Sequence, residues 1–204
     1  VLVDVIKDIR NEWIPNIGEN FNYEAAGQFL SDVEKFCKQS GQLVNSVYNS
    51  QQLEEAVWRV PIGDMEMTTG GIPFRRRATS SSCQARQDLL KIIAALQIPA
   101  DQNVDQYEGL DMNTLVKSGQ SYTSIMRDMH NRRPYISKQG YVGLGPISML
   151  PGDVICIFLG AQLPYILRRT ETDLYKLIGE GYVHGIMDGE YIERKPRRER
   201  IILL

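Results

Sequence analysis

Val154-Ile-Cys-Ile-Phe-Leu159 is apolar on both faces of a pleat, so a strand here has to be buried on both sides and marks the centre of a sheet. The turn composition Pro151-Gly152-Asp153 precedes it, and Gly160-Ala161 follows. Working outward, Pro134–Ser137, Tyr141–Leu144, Leu163–Arg169, Leu174–Tyr182 and Arg200–Leu203 are further short β-branched or aromatic runs, separated by Gln139-Gly140 and Thr170–Asp173. Six short strands in about 70 residues, joined by tight turns, predict a small curled antiparallel sheet or a partly closed barrel.

Upstream of Pro134 the pattern is helical. Leu2, Val5, Ile6, Ile9 and Trp13 recur at helical spacing until Pro15 and Gly18. Asn22 is placed to cap a helix with Ala26, Phe29, Leu30, Val33, Phe36 and Cys37 on one face, ending at Gly41. Asn49 and Gln52 fit a capping box before Leu53, Ala56, Val57 and Trp58. From Pro61 to Ser82 the chain reads as an irregular loop: Gly63, Gly70, Gly71, Pro73, the run Arg75-Arg76-Arg77, then four hydroxyl residues from Thr79. Helices follow over Gln84–Leu96 and Thr114–His130, with an acidic surface loop at Ala100–Gly109. The reading is therefore α+β, with a mostly helical layer over 1–133 and a β-rich module over 134–204.

Of the 204 residues, 43% are hydrophobic and 24% charged, which is a globular composition. A formal charge of −2 supplies no field to recruit nucleic acid or an anionic surface. The longest apolar stretch, Val154–Leu167, is too short and too interrupted to span a bilayer, which takes about 20 residues. Three cysteines make neither a disulfide framework nor a zinc scaffold, and the odd number suits a reducing, cytoplasmic setting. The chain opens on Val1 rather than Met, as expected of part of a longer product.

Imidazole chemistry is limited to His130 and His184. Cys37 and Cys156 lie on apolar faces, Cys83 lies in the serine-rich stretch, and none has a local base to activate it. No two Cys or His residues fall within four positions, so zinc spacing is absent. Gly140-Tyr-Val-Gly143-Leu-Gly145-Pro146 lacks the helix and the Gly-Lys-Ser/Thr of a phosphate loop, and its glycines read as sheet-corner residues. The basic runs Arg75–Arg77 and Arg194–Arg200 read as solvated surface. Tyr182-Val-His-Gly-Ile-Met-Asp-Gly-Glu190 is the unusual segment. Gly185 and Gly189 suit turns and Asp188 suits backbone capping, while Glu180, His184 and Asp188 could alternatively form a polar ligand or enzymatic site. As a turn partner alone, His184 would contribute less than about 1 kcal/mol.

Four blocks, Gly140–Pro146, Pro151–Gly160, Pro164–Arg168 and Tyr175–Glu190, resemble in order and spacing the C-terminal region of fungal heterokaryon-incompatibility (HET-domain) proteins. Val57-Trp58-Arg59-Val-Pro-Ile-Gly-Asp64 is similar to the tryptophan–arginine block of that family, and Arg132-Arg-Pro-Tyr-Ile136 to the lead-in to its glycine block. The residues that carry the resemblance are Trp58, Arg59, Gly140, Gly143, Gly145, Pro146, Gly152, Asp153, Glu180, Tyr182, His184, Gly185, Asp188 and Gly189. The resemblance implies a structural or interaction role for them in non-self recognition and programmed cell death. It assigns no catalytic residue, cofactor or metal. Nothing in this chain matches the N-terminal HET domain itself, so the implied partner is protein: that domain in cis, or another incompatibility protein.

Overall fold

The computed structural model describes residues 1–68, 74–97 and 112–204. In chain order it contains β1 (Leu2–Ile9), a small hairpin of β2 (Asn16–Ile17) and β3 (Asn20–Phe21), α1 (Tyr23–Gly41) and α2 (Ser50–Arg59). A second hairpin, β4 (Met65–Met67) and β5 (Arg75–Arg77), precedes α3 (Ser80–Leu96) and α4 (Met112–Asp128). Then come β6 (Arg132–Ser137), β7 (Val142–Pro146), β8 (Val154–Cys156), β9 (Tyr165–Arg169), β10 (Tyr175–Glu180), β11 (Tyr182–Val183) and α5 (Glu190–Glu193).

Seven strands form one antiparallel sheet in the order β10-β9-β8-β1-β6-β7-β11. β8 is fully buried between β9 and β1, the central place its sequence predicts, although it ends at Cys156 and Leu159 is already exposed. The two ends of the sheet are consecutive in the chain. Only Gly181 separates β10 from β11, and its N–H donates to the Pro164 carbonyl at 2.9 Å. The sheet therefore curls until its ends meet through the chain, without a closed hydrogen-bond ladder, in agreement with the expected curled sheet.

The largest departure from the sequence reading is the first segment, which is the middle strand β1 and not a helix. Register shifts between Leu2 and Asp4 and between Ile6 and Asp8 break the two-residue alternation. Bulges of this kind space the apolar residues so that they imitate a helix. The β-branched Val3, Val5 and Ile6 and the open slot between β6 and β8 settle the conformation. The loop expected over 61–82 is also partly ordered, as a 3-10 turn at Val60–Ile62, the β4–β5 hairpin and the first turn of α3. Arg200–Leu203 is not a strand, since only a single parallel bridge joins Leu203 to Tyr175. The part of the loop at 69–73 and the surface loop at Ala100–Gly109 lie outside the described residues.

α1 carries the predicted cap, with Asn22 Oδ1 accepting from the Ala25 N–H at 2.9 Å, and buries the predicted face against β6 and β7. The Asn49–Gln52 capping box starts α2 as predicted. α3 and α4 pack against each other, and α4 also meets β4. Trp13, fully buried, stacks on Phe29 with ring centroids 5.1 Å apart and donates its indole N–H to the Met126 carbonyl. This side chain ties the end of β1 to α1 and α4.

Candidate functional site

The tryptophan–arginine block and the Tyr182–Glu190 block, distant in sequence, are linked through Gln52 of α2, which bonds His184, and through Arg77, which joins Asp64 to Asp188. Two interaction systems join them, one buried and one charged.

His184 lies at the centre of the buried system and is 5% exposed. Its ring Nε2 lies 2.9 Å from the Gln52 carbonyl, and its Nδ1 lies 3.2 Å from the Tyr182 hydroxyl. A carbonyl can only accept, so Nε2 carries the proton, and Nδ1 accepts from Tyr182. The Tyr48 hydroxyl donates to the His184 carbonyl at 2.9 Å and accepts from the Val142 N–H at 3.1 Å. The Tyr48 ring lies 5.3 Å from the imidazole. Burial disfavours the imidazolium and lowers the His184 pKa to about 4, so the ring is neutral at neutral pH. Nε2 therefore ties the segment after β11 to α2 while Nδ1 fixes the ring against Tyr182, which makes His184 more than a turn partner.

The charged system alternates sign from α2 across the β4–β5 hairpin to the loop before α5. Arg59 donates through Nε to Glu55 at 2.9 Å and through Nη1 to Asp64 and to the Ala78 carbonyl at 2.7 Å, while its Cζ sits 4.3 Å over the Trp58 ring. Arg77 then bridges Asp64, at 3.4 Å, and Asp188. Burial pushes the Asp64 carboxyl up, and Arg59 and Arg77 offset this only in part. Arg75 and Arg76 are exposed and Arg77 half-buried, as the reading of this run as solvated surface expects, but that reading does not anticipate their ion pairs. Arg75 pairs with Asp128 at 2.6 Å and Arg77 with Asp64 and Asp188, fastening the hairpin to its surroundings, while Arg76 pairs with its cross-strand neighbour Glu66 at 2.8 Å inside the hairpin.

Glu66 is the other residue that sequence reasoning overlooks. Buried in β4, it accepts from the Thr79 N–H at 2.8 Å, the Ser82 hydroxyl at 2.6 Å and Arg76, and so caps α3 from outside the helix. The signal available was the hydroxyl run Thr79–Ser82, which marks a helix start as readily as a loop.

The remaining motif residues are structural in their surroundings. Gly143 lies on β7 opposite β11, where a Cβ would fall 2.0 Å from the Tyr182 carbonyl oxygen and 2.6 Å from the Tyr135 hydroxyl. Gly145 lies under Met149, Pro146 ends β7 beside Gly179, and Gly140 packs on Ser40. Gly185 has φ +77° with the Tyr48 ring behind it, and Gly152 and Gly189 occupy turns with positive φ. Asp153, 2% exposed, takes two bonds from Arg168 at 2.8 and 2.9 Å and caps the Leu150 N–H. The Glu180 side chain is exposed at the end of β10, and its backbone carbonyl accepts from Arg132 at 3.0 Å. Glu180, His184 and Asp188 do not come together: His184 faces Gln52 and Tyr182, and Asp188 faces Arg77.

Burial pushes the Cys37 thiol up to about 12 and also raises Cys156. Among the described residues no group of three His, Cys, Asp or Glu side chains is placed to hold a metal, and no helix is long and apolar enough to cross a membrane.

A curled antiparallel sheet, tied to a helical layer by a buried histidine–tyrosine system and a chain of ion pairs, defines a compact α+β module of the barrel type. The chain belongs to the Het-6 beta-barrel domain family, whose profile matches residues 1–203. It is 31% identical over 163 residues to heterokaryon incompatibility protein 6, OR allele, of Neurospora crassa, a match covering 72% of this chain and 24% of that protein. The chain thus spans about a quarter of the length of the curated relative it matches. No solved structure matches it.

Proposed function

We propose that this chain is a non-catalytic interaction module of a fungal incompatibility protein, acting in the cytoplasm in non-self recognition and the cell death that follows. Its partner is protein, either a HET domain in the same polypeptide or a second incompatibility protein. Membership of the family and likeness to a named incompatibility protein support the biological setting. The observation that carries the non-catalytic reading is the state of His184: buried, neutral, and bonded at both nitrogens to groups of its own fold. A general base needs a free nitrogen within reach of a substrate proton.

The test uses the intact gene in a cell-death assay after fusion of unlike strains. His184→Ala is expected to reduce the response only as far as it reduces folded protein, measured by the soluble amount of the full-length chain. Loss of the response at undiminished soluble protein would overturn the proposal, because it would give the imidazole a chemical role.

A further inference from the structure

A cleft of about 310 Å³ between α1 and α3 contains a cation with little to balance it. Leu90, half-buried, and Gly27 form its accessible apolar lining, and Arg86 of α3 and Lys38 of α1 supply positive charge, while Lys35 is paired with Asp32 at 3.3 Å. Arg86 is 8% exposed, and its Nε is buried with no hydrogen-bond partner among the described residues. Its Nη2 donates to Glu34 at 3.2 Å, and that carboxylate is 61% exposed to solvent. A guanidinium has five N–H donors to satisfy, and one screened surface carboxylate compensates a buried cation poorly. Arg59 shows the contrast, since it is bonded to Glu55, Asp64 and the Ala78 carbonyl together.

We propose that this cleft binds a small organic oxyanion, with its phosphate or carboxylate head on Arg86 and Lys38 and its apolar body on Leu90 beside Gly27. The volume exceeds what a bare inorganic ion fills, and apolar walls with a few placed polar groups are what small organic ligands occupy. Glu34 lies on the same guanidinium and is mostly in solvent, so it competes with the ligand for Arg86. Removing its charge therefore tightens binding, whereas removing Arg86 or Lys38 weakens it.

The experiment is calorimetric titration of the chain with phenyl phosphate, benzoate and uncharged benzyl alcohol, at an ionic strength held constant with sodium chloride. Saturable binding of at least one anion is expected, with none of benzyl alcohol, and the anion that binds identifies the head group. Arg86→Met should weaken Kd by a factor of about ten or more, and Glu34→Gln should tighten it several-fold. Exchanging an under-compensated buried cation for an apolar side chain of similar size is tolerated by folds. Should Arg86→Met fail to fold, the exposed Lys38→Ala gives the same reading with a smaller loss. Failure of both anions to bind saturably would overturn the proposal, as would equal binding by the wild-type chain and the Arg86→Met or Lys38→Ala variant.

Discussion

Replacing His184 by alanine tests how much of the module rests on one buried side chain. The change leaves the Tyr182 hydroxyl without its acceptor, takes from the Gln52 carbonyl the donor it has besides its bond within α2, and empties the space beside the Tyr48 ring. A buried polar group left unsatisfied costs about 1–3 kcal/mol, and the lost packing adds to it, so the expected loss is about 3 kcal/mol. That is a large part of the roughly 5–15 kcal/mol by which domains are stable. It also exceeds the figure of under about 1 kcal/mol for a turn histidine, because this ring is 5% exposed and bonded at both nitrogens. The same residue sets a pH dependence. Its folded pKa is about 4, lowered by burial from 6.5, so between those values the unfolded chain binds a proton that the folded chain does not. The contribution is complete above pH 6.5 and falls away as pH drops towards 4, by about 3 kcal/mol in all. Urea unfolding followed by circular dichroism at neutral and mildly acidic pH measures both effects. A loss below about 1 kcal/mol at neutral pH, with the acid-side slope unchanged in His184→Ala, would refute this reasoning.

Gly143→Ala places a methyl group 2.0 Å from the Tyr182 carbonyl oxygen, a contact that only displacement of β11 relieves, and should cost more than about 3 kcal/mol, seen as a collapse of soluble expression or Tm. Arg77→Ala cuts the link between Asp64 and Asp188, but the guanidinium is 41% exposed, so the loss should be only about 0.5–1 kcal/mol and should shrink in high salt. Hydrogen exchange should show β4 and β5 loosening while β8 is unaffected. Glu66→Gln removes the charge that caps α3 and should cost about 1–2 kcal/mol in denaturant unfolding. Burial acts to raise the Glu66 pKa, but the bonds from Ser82, Thr79 and Arg76 outweigh it and lower it below 4.5. Its contribution is therefore complete above pH 4.5 and lost as pH falls through the folded value, and Glu66→Gln should be less acid-sensitive than the wild type.

Where local chemistry and tertiary environment agree, the fold can be read from the residues. Asn22, Asn49 and Gln52 are bonded as caps, and the face from Ala26 to Cys37 is buried, because capping and helical periodicity act within a few residues. Val154–Cys156 is central because an apolar run of that length has only one way to stay dry. β1 was hidden by its two bulges and by partners that lie more than 120 residues away in sequence. The site divides in the same way. The two blocks are visible as motifs, but their meeting is not, since the connection runs through Tyr48, Gln52 and Arg77, whose roles depend on long-range contacts that no local spacing encodes. The arginines of β5 are largely exposed, as they look in sequence, but their pairing is hidden because the acids that hold them come from α4, β4, the turn after α2 and the loop before α5.

The central claim is that the His184 imidazole is an internal connection of the fold, and nitrogen-15 NMR of the histidine rings across an acid titration reads its state directly. The account predicts a single neutral tautomer with the proton on Nε2, unchanged as the pH is lowered until it nears 4, where the ring takes up a proton. A His184 that titrates near 6.5, or exchanges between tautomers at neutral pH, would contradict it.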